Sequence, residues 1–109
     1  MDLNLLVAFD LLLEECSVTR AAEIMCVSQS AMSHMLNRLR DTLHDPILLR
    51  TERGMNPTDH ALQMKGPIRQ ALLQIHQALM PDNAFNPKSS NVNFVIYVPE
   101  YFEMIFMPI

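Results

Sequence analysis

Ser30, Ser33, His34 and Asn37 fall on one side of a stretch running from Gln29 to about Leu43, and Asp41 continues the same arc. Projected at about 100° per residue, Met32, Leu36, Leu39 and Leu43 form a narrow apolar stripe opposite them. A buried stripe backed by short hydrogen-bonding side chains, with few long solubilising ones, is unusual for a helix that only faces water. Short polar groups near a helix N-terminus are suited to the donors and acceptors on base edges of duplex DNA. An ordinary capped helical hairpin would carry the same stripe, so this arc alone leaves both readings open.

The surrounding sequence supplies elements able to hold that arc in place. Asp2 is positioned to cap a helix from about Leu3 to Glu15, in which Leu5, Leu6, Phe9, Leu12 and Leu13 recur at helical spacing and Asn4, Asp10 and Glu14 lie opposite. Ser17 caps a second helix through Met25, whose Ala21 and Ala22 allow a close helix crossing. Cys26 and Val27 make a turn, and Ser28 caps the polar-faced helix. Two helices joined in this way have the layout of a helix-turn-helix, which presents its second helix to the major groove. Residues 44–58 read as a small β-hairpin, with the apolar run Ile47 to Arg50, Gly54 in a turn, Pro57 ending the second arm, and Arg50 and Arg53 near the tip. A basic hairpin following such a helix is a wing, able to reach phosphate or an adjacent minor groove.

From Thr58 or Asp59 to Leu79 the spacing predicts a long helix. Ala61, Lys65, Ile68, Leu72, Ile75 and Leu79 step by four and three, flanked by Leu62, Leu73 and Met80. This is the pattern of a dimer seam, with packing back onto the same domain as the alternative. Pro67 offers no N–H to the Gln63 carbonyl, so a kink or restart is expected at Gly66-Pro67. Residues 81–91 have linker composition, and Val92 to Val98 is a β-prone run with apolar residues on both faces. One buried strand leaves its edges unpaired, so the chain reads as a fragment cut near the start of a second domain.

Charge opposes the nucleic-acid reading overall and permits it locally. The net charge is −4 and the isoelectric point about 5.4, yet between Cys16 and Arg69 seven basic residues face five acidic ones. Local sign governs phosphate contact. Cys16 and Cys26 match no metal spacing and read as free cytosolic thiols, and His34, His44, His60 and His76 show no ligand spacing. No Gly-rich phosphate loop, nucleophile arrangement, signal peptide or apolar run of membrane-spanning length is visible. An enzyme is therefore not expected. A helical protein-interaction module is the alternative class, resting on the acidic balance and the apolar long helix. A metal or redox sensor rests only on the two thiols and four histidines.

The motifs MDLNLL-x-x-F, SVTRAAE, VSQSAMSHMLNRLR, DPILLR and RGMNPT, in that order, closely resemble the N-terminal domain of LysR-type transcriptional regulators across residues 1 to 80. The NFVIYV run resembles the start of that family's α/β effector-binding domain. The resemblance implies a mainly α fold: a winged helix-turn-helix over residues 1–58, a linker or dimerisation helix over 59–80, a hinge over 81–91 and a truncated effector domain over 92–109. It implies cytoplasmic homodimers, often assembled into tetramers on promoter DNA in the bacterial nucleoid, with no membrane partner. It implies no cofactor or metal for this stretch, the small-molecule co-inducer belonging to the missing domain. Carried over by position, it assigns base reading to Gln29, Ser30, Ser33, His34 and Asn37. Phosphate contact falls to Thr19, Arg20, Ser28, Arg38 and Arg50, wing contact to Arg53, and the dimer seam to Ala61, Ile68, Leu72, Ile75 and Leu79. Ser30 replaces a usual proline, Cys26 a common glycine or asparagine, and His44 a frequent glycine. Cys26 implies either a turn that is not left-handed or one that carries mild strain.

Overall fold

Four side-chain caps set where the helices begin. Asp2 Oδ1 accepts from the Asn4 N–H at 2.9 Å, Ser17 Oγ from Arg20 at 3.1 Å, Ser28 Oγ from Ala31 at 3.0 Å and Thr58 Oγ1 from Ala61 at 3.0 Å. The computed structural model describes residues 2–79. In order it contains α1 (Leu3–Glu15), α2 (Val18–Met25), α3 (Gln29–Leu43), β1 (Leu48–Thr51), β2 (Gly54–Pro57) and α4 (Asp59–Leu79). Met80, the expected hinge at 81–91 and the β-prone segment from Val92 lie outside the described residues. The mainly α expectation holds, with an antiparallel two-stranded hairpin pairing Leu48 with Pro57, Leu49 with Asn56, Arg50 with Met55 and Thr51 with Gly54.

Helix α1 is the central element, packing against α2, α3 and α4. Its apolar residues Leu5, Val7, Ala8, Phe9, Leu11, Leu12 and Leu13 are all buried, so α1 is enclosed on more than one face. Ala21 and Ala22 are buried on α2, and Met32, Leu36 and Leu39 bring the inner stripe of α3 into the same core. Fully burying a side chain such as Phe9, Leu12 or Met32 contributes about 1.5–3 kcal/mol.

Three expectations change here. Asn4 and Asp10 do not face water: they are 7% and 0% exposed, and α4 packs on α1 and brings Arg69 to Asp10. The Arg69 guanidinium meets Asp10 with two parallel bonds, Nε to Oδ1 and Nη2 to Oδ2, both 3.0 Å. Glu14 is likewise engaged, its Oε2 lying 2.9 Å from Arg69 Nη2 and 3.1 Å from Lys65 Nζ. Second, Ala61 and Leu72 are fully covered within their own chain, which withdraws both from a partner-facing seam. Ile68 leans on the same core, whereas Ile75 and Leu79 are half-buried outside it. Third, of the kink or restart expected at Gly66-Pro67, the restart does not occur, since α4 is helical through Pro67. Gly66 and Pro67 are exposed, so water can satisfy the carbonyl that the proline leaves free.

Removing the Asp10 carboxylate leaves a largely buried guanidinium without its main partner. Asp10→Ala is expected to lower unfolding free energy by roughly 3 kcal/mol, the low end for a broken buried pair because Arg69 keeps Glu14 and some water. A urea titration showing less than about 1 kcal/mol would mean that α4 docks without this pair.

The same cluster gives a pH dependence. Partial burial pushes the Glu14 carboxyl up, but hydrogen bonds and charge attraction from Lys65 and Arg69 outweigh it and hold it below its ordinary value. A depressed carboxylate stabilises the fold above its unfolded value, and that contribution is lost as pH falls through the folded one. Stability should stay level down to about pH 5 and then decline. Glu14→Gln should make the decline shallower, and an unchanged slope in that variant would remove Glu14 as its source.

Candidate nucleic-acid interface

The turn between α2 and α3 is built without glycine. Cys26 takes the left-handed conformation at φ 60° and ψ 41°. Its N–H donates to the Glu23 carbonyl at 3.2 Å, and the Val27 N–H to the Ala22 carbonyl at 3.0 Å, which is the Schellman arrangement. Of the two readings of Cys26, the left-handed and mildly strained one is observed. Cys16 and His44 end α1 and α3 in the same conformation, at φ 51° and 53°. The sharp turn lets α3 bury Met32, Leu36 and Leu39 while its opposite side stays in water.

That outer side gathers all five expected base-reading residues. Gln29, Ser30, Ser33, His34 and Asn37 are exposed and together line one open depression of about 500 Å³. Among the residues expected to meet phosphate, Thr19 and Arg20 stand exposed in the first turn of α2, and Ser28 at the N-terminus of α3. Ser28 Oγ is already engaged in capping. Arg20 makes long, exposed ion pairs to Glu15 (3.7 Å) and Glu23 (3.8 Å), contacts that contribute little and exchange readily. Arg38, Arg50 and Arg53 are exposed and make no ion pair among the described residues. Arg53 lies in the hairpin turn, whereas Arg50 sits back in β1 opposite Met55.

The root of the hairpin differs from the sequence expectation. Ile47 does not belong to the strand; it is fully buried with φ 67°, a rare conformation for a β-branched residue. The Leu48 N–H donates to the Pro46 carbonyl at 2.7 Å, closing a tight turn around Ile47. Such a residue costs about 1–3 kcal/mol and persists only where its surroundings over-determine it. Here they do. Asp45 Oδ2 accepts from the Ile47 N–H at 2.8 Å and from Thr58 Oγ1 at 2.6 Å, and the Thr58 N–H donates to the Ile47 carbonyl at 3.0 Å. His60 Nδ1 lies 3.4 Å from Asp45 Oδ1. Burial raises the Asp45 carboxyl, but these hydrogen bonds and His60 outweigh it and hold it below its usual value.

Arg40, absent from the expected site, ties α3 to this root. Its Nε donates to the Pro46 carbonyl at 2.8 Å, Nη2 to the Leu48 carbonyl at 3.0 Å and Nη1 to Asn37 Oδ1 at 3.2 Å. Its carbonyl partners lie six and eight residues away, beyond any helical periodicity. Asp45 and Thr58 were similarly missed; the helix cap at Thr58 was visible in sequence, but its bond to Asp45 was not.

The geometry agrees with known proteins. A family model described as a bacterial regulatory helix-turn-helix protein of the lysR family matches residues 3–62. The chain is 42% identical over 108 residues to the HTH-type transcriptional activator NagR of a Ralstonia species, covering 99% of this chain and 36% of that protein. It thus spans about a third of that relative's length. Among solved structures, a probable transcriptional regulator from Pseudomonas aeruginosa superposes with a TM-score of 0.70 at 38% identity, over 83% of this chain and 30% of that one. The DNA-binding domain of BenM in complex with benA site 1 DNA superposes with a TM-score of 0.67 at 26% identity, over 72% of this chain and 89% of that one.

The left-handed turn has a direct consequence for stability. Cys26 is exposed and its thiol makes only a weak 3.9 Å contact to the Ile24 carbonyl, so Cys26→Gly loses little packing and relieves backbone strain. The variant is expected to gain about 0.5–1 kcal/mol by thermal or urea unfolding. A net loss would mean that the turn is not strained at Cys26.

Proposed function

Because the chain belongs to the lysR family of bacterial regulatory helix-turn-helix proteins, we propose that it is the sequence-specific DNA-binding part of a dimeric transcriptional regulator. The observation that carries this reading is the exposed arc on α3. Five hydrogen-bonding side chains line one depression on a helix whose opposite stripe is locked in the core. A rigid helix with such a face enters the major groove without repacking the domain.

In this reading Gln29, Ser30, Ser33, His34 and Asn37 meet base edges. Thr19, Arg20, Ser28, Arg38 and Arg50 sit along the phosphates, and Arg53 carries the hairpin turn to phosphate or the adjacent minor groove. Ser28 contributes its backbone end of the helix, since its hydroxyl is held by the cap. Residues 1–58 form the reading domain and 59–80 the linker helix. Subunits pair along the part of α4 that the core leaves open, with Ile75 and Leu79 in place of the buried Ala61 and Leu72. The hinge at 81–91 leads into an effector-binding domain from residue 92, which would take a small-molecule co-inducer. The site of action is promoter DNA in the bacterial cytoplasm, and no described helix is long and apolar enough to cross a membrane.

Binding of the 109-residue chain to duplexes selected from a randomised library tests the proposal. With about six phosphate contacts per dimer, log affinity should fall against log salt with a slope near −5. Gln29→Ala or Ser33→Ala should relax preference at one base pair by roughly 1–3 kcal/mol. Absence of binding to every duplex at low salt would leave the protein-interaction reading in its place.

A further inference from the structure

Arg40 and Asn37 together define what one position of the arc can recognise, and this inference rests on the DNA-reading proposal. A guanidinium carries only donors. The Asn37 atom 3.2 Å from Arg40 Nη1 must therefore be the amide oxygen, which fixes the flip of that amide on chemical grounds. Arg40 cannot easily turn away, because its Nε and Nη2 are held by the Pro46 and Leu48 carbonyls at the root of the hairpin. The bond turns Oδ1, which keeps a second lone pair, toward Arg40, a residue outside the depression that Asn37 lines with Gln29, Ser30, Ser33 and His34.

We propose that Arg40 is a positioning residue that orients the Asn37 amide with its Nδ2 donors toward the bases, selecting a base whose major-groove edge carries acceptors. A free asparagine amide offers one donor and one acceptor side, and its best match is adenine, with N7 and the N6 amine. An amide whose oxygen is turned away toward Arg40 favours guanine, which presents N7 and O6 and no donor there, and disfavours cytosine, which presents only its N4 amine. The two bonds from Arg40 to the Pro46 and Leu48 carbonyls fix the hairpin root relative to α3, so the base read at this point and the placement of the wing share one anchor.

Base preferences of the 109-residue chain and its variants, selected from a randomised duplex library, test the assignment. Comparing wild type with Asn37→Ala identifies the base pair that Asn37 reads, and wild type should prefer guanine there over adenine by roughly fivefold or more. Asn37→Asp, which keeps an oxygen for Arg40 but has no donor, should move the preference toward cytosine. Arg40→Ala, confirmed folded by its unfolding transition, should move it toward adenine by freeing the amide oxygen. A merely structural Arg40 would change affinity and leave the preferred base as it was. If Arg40→Ala does not fold, the wild-type and Asn37→Asp preferences decide alone. A wild-type preference for adenine at that pair, an unchanged preference in folded Arg40→Ala or in Asn37→Asp, or no pair altered by Asn37→Ala would each overturn the assignment. Failure of the wild-type chain to bind any duplex would instead count against DNA reading itself.

Discussion

A carboxylate wholly withdrawn from water must be met by a cation, and that requirement at Asp10 organises the rest of the chain. Asp10 is 0% exposed, and Arg69 answers it with both arms of a fork from a helix 59 residues further on. This fixes the register of α4 across α1 more narrowly than apolar contact could, since leucines slide with small penalties and a fork does not. Leu72 and Ala61 then fall into the core of their own domain. The part of the apolar stripe on α4 that stays outside this core lies toward its C-terminal end, at Ile75 and Leu79.

From the start of α4 the constraint passes to the hairpin. Thr58 caps α4 and also donates to Asp45, whose other bond holds the buried, left-handed Ile47. Arg40 closes the circuit from α3 by taking the carbonyls on either side of Ile47. The strained residue is thus gripped from three elements, and the hairpin cannot swing without breaking several charge-assisted bonds. A rigid wing angle is what a reading head needs when the helix and the hairpin must meet one duplex together.

These pairings leave the net charge of the chain unchanged, because they take Arg69 and Lys65 out of the basic count along with Asp10 and Glu14 out of the acidic one. Asp10 and Glu14 are engaged by Arg69 and Lys65, and Asp45 by Thr58 and the Ile47 N–H. None of the three lines the depression on α3. What bears on the proposed DNA face is the local field, to which Asp10 and Glu14 add little beside their paired cations.

Much of this was legible in the sequence, for reasons that are local. Caps at Asp2, Ser17 and Ser28, apolar spacing, and the polar arc from Gln29 to Asn37 depend on residues within a few positions of one another, and each lies where the spacing put it. The hairpin and the long helix were legible on the same linear terms, from turn residues and apolar spacing, and the family motifs agreed with them. Tertiary structure alone decided the rest. Which face of α1 is covered depends on where α4 returns, so Asp10 reads as solvent-facing until Arg69 is brought to it. Whether Leu72 serves a partner or its own core depends on the same return, because an apolar stripe carries no mark of its occupant. The anchoring role of Arg40 depends on carbonyls that every sequence possesses; their position at the hairpin root is set by the fold, and no side-chain pattern records it.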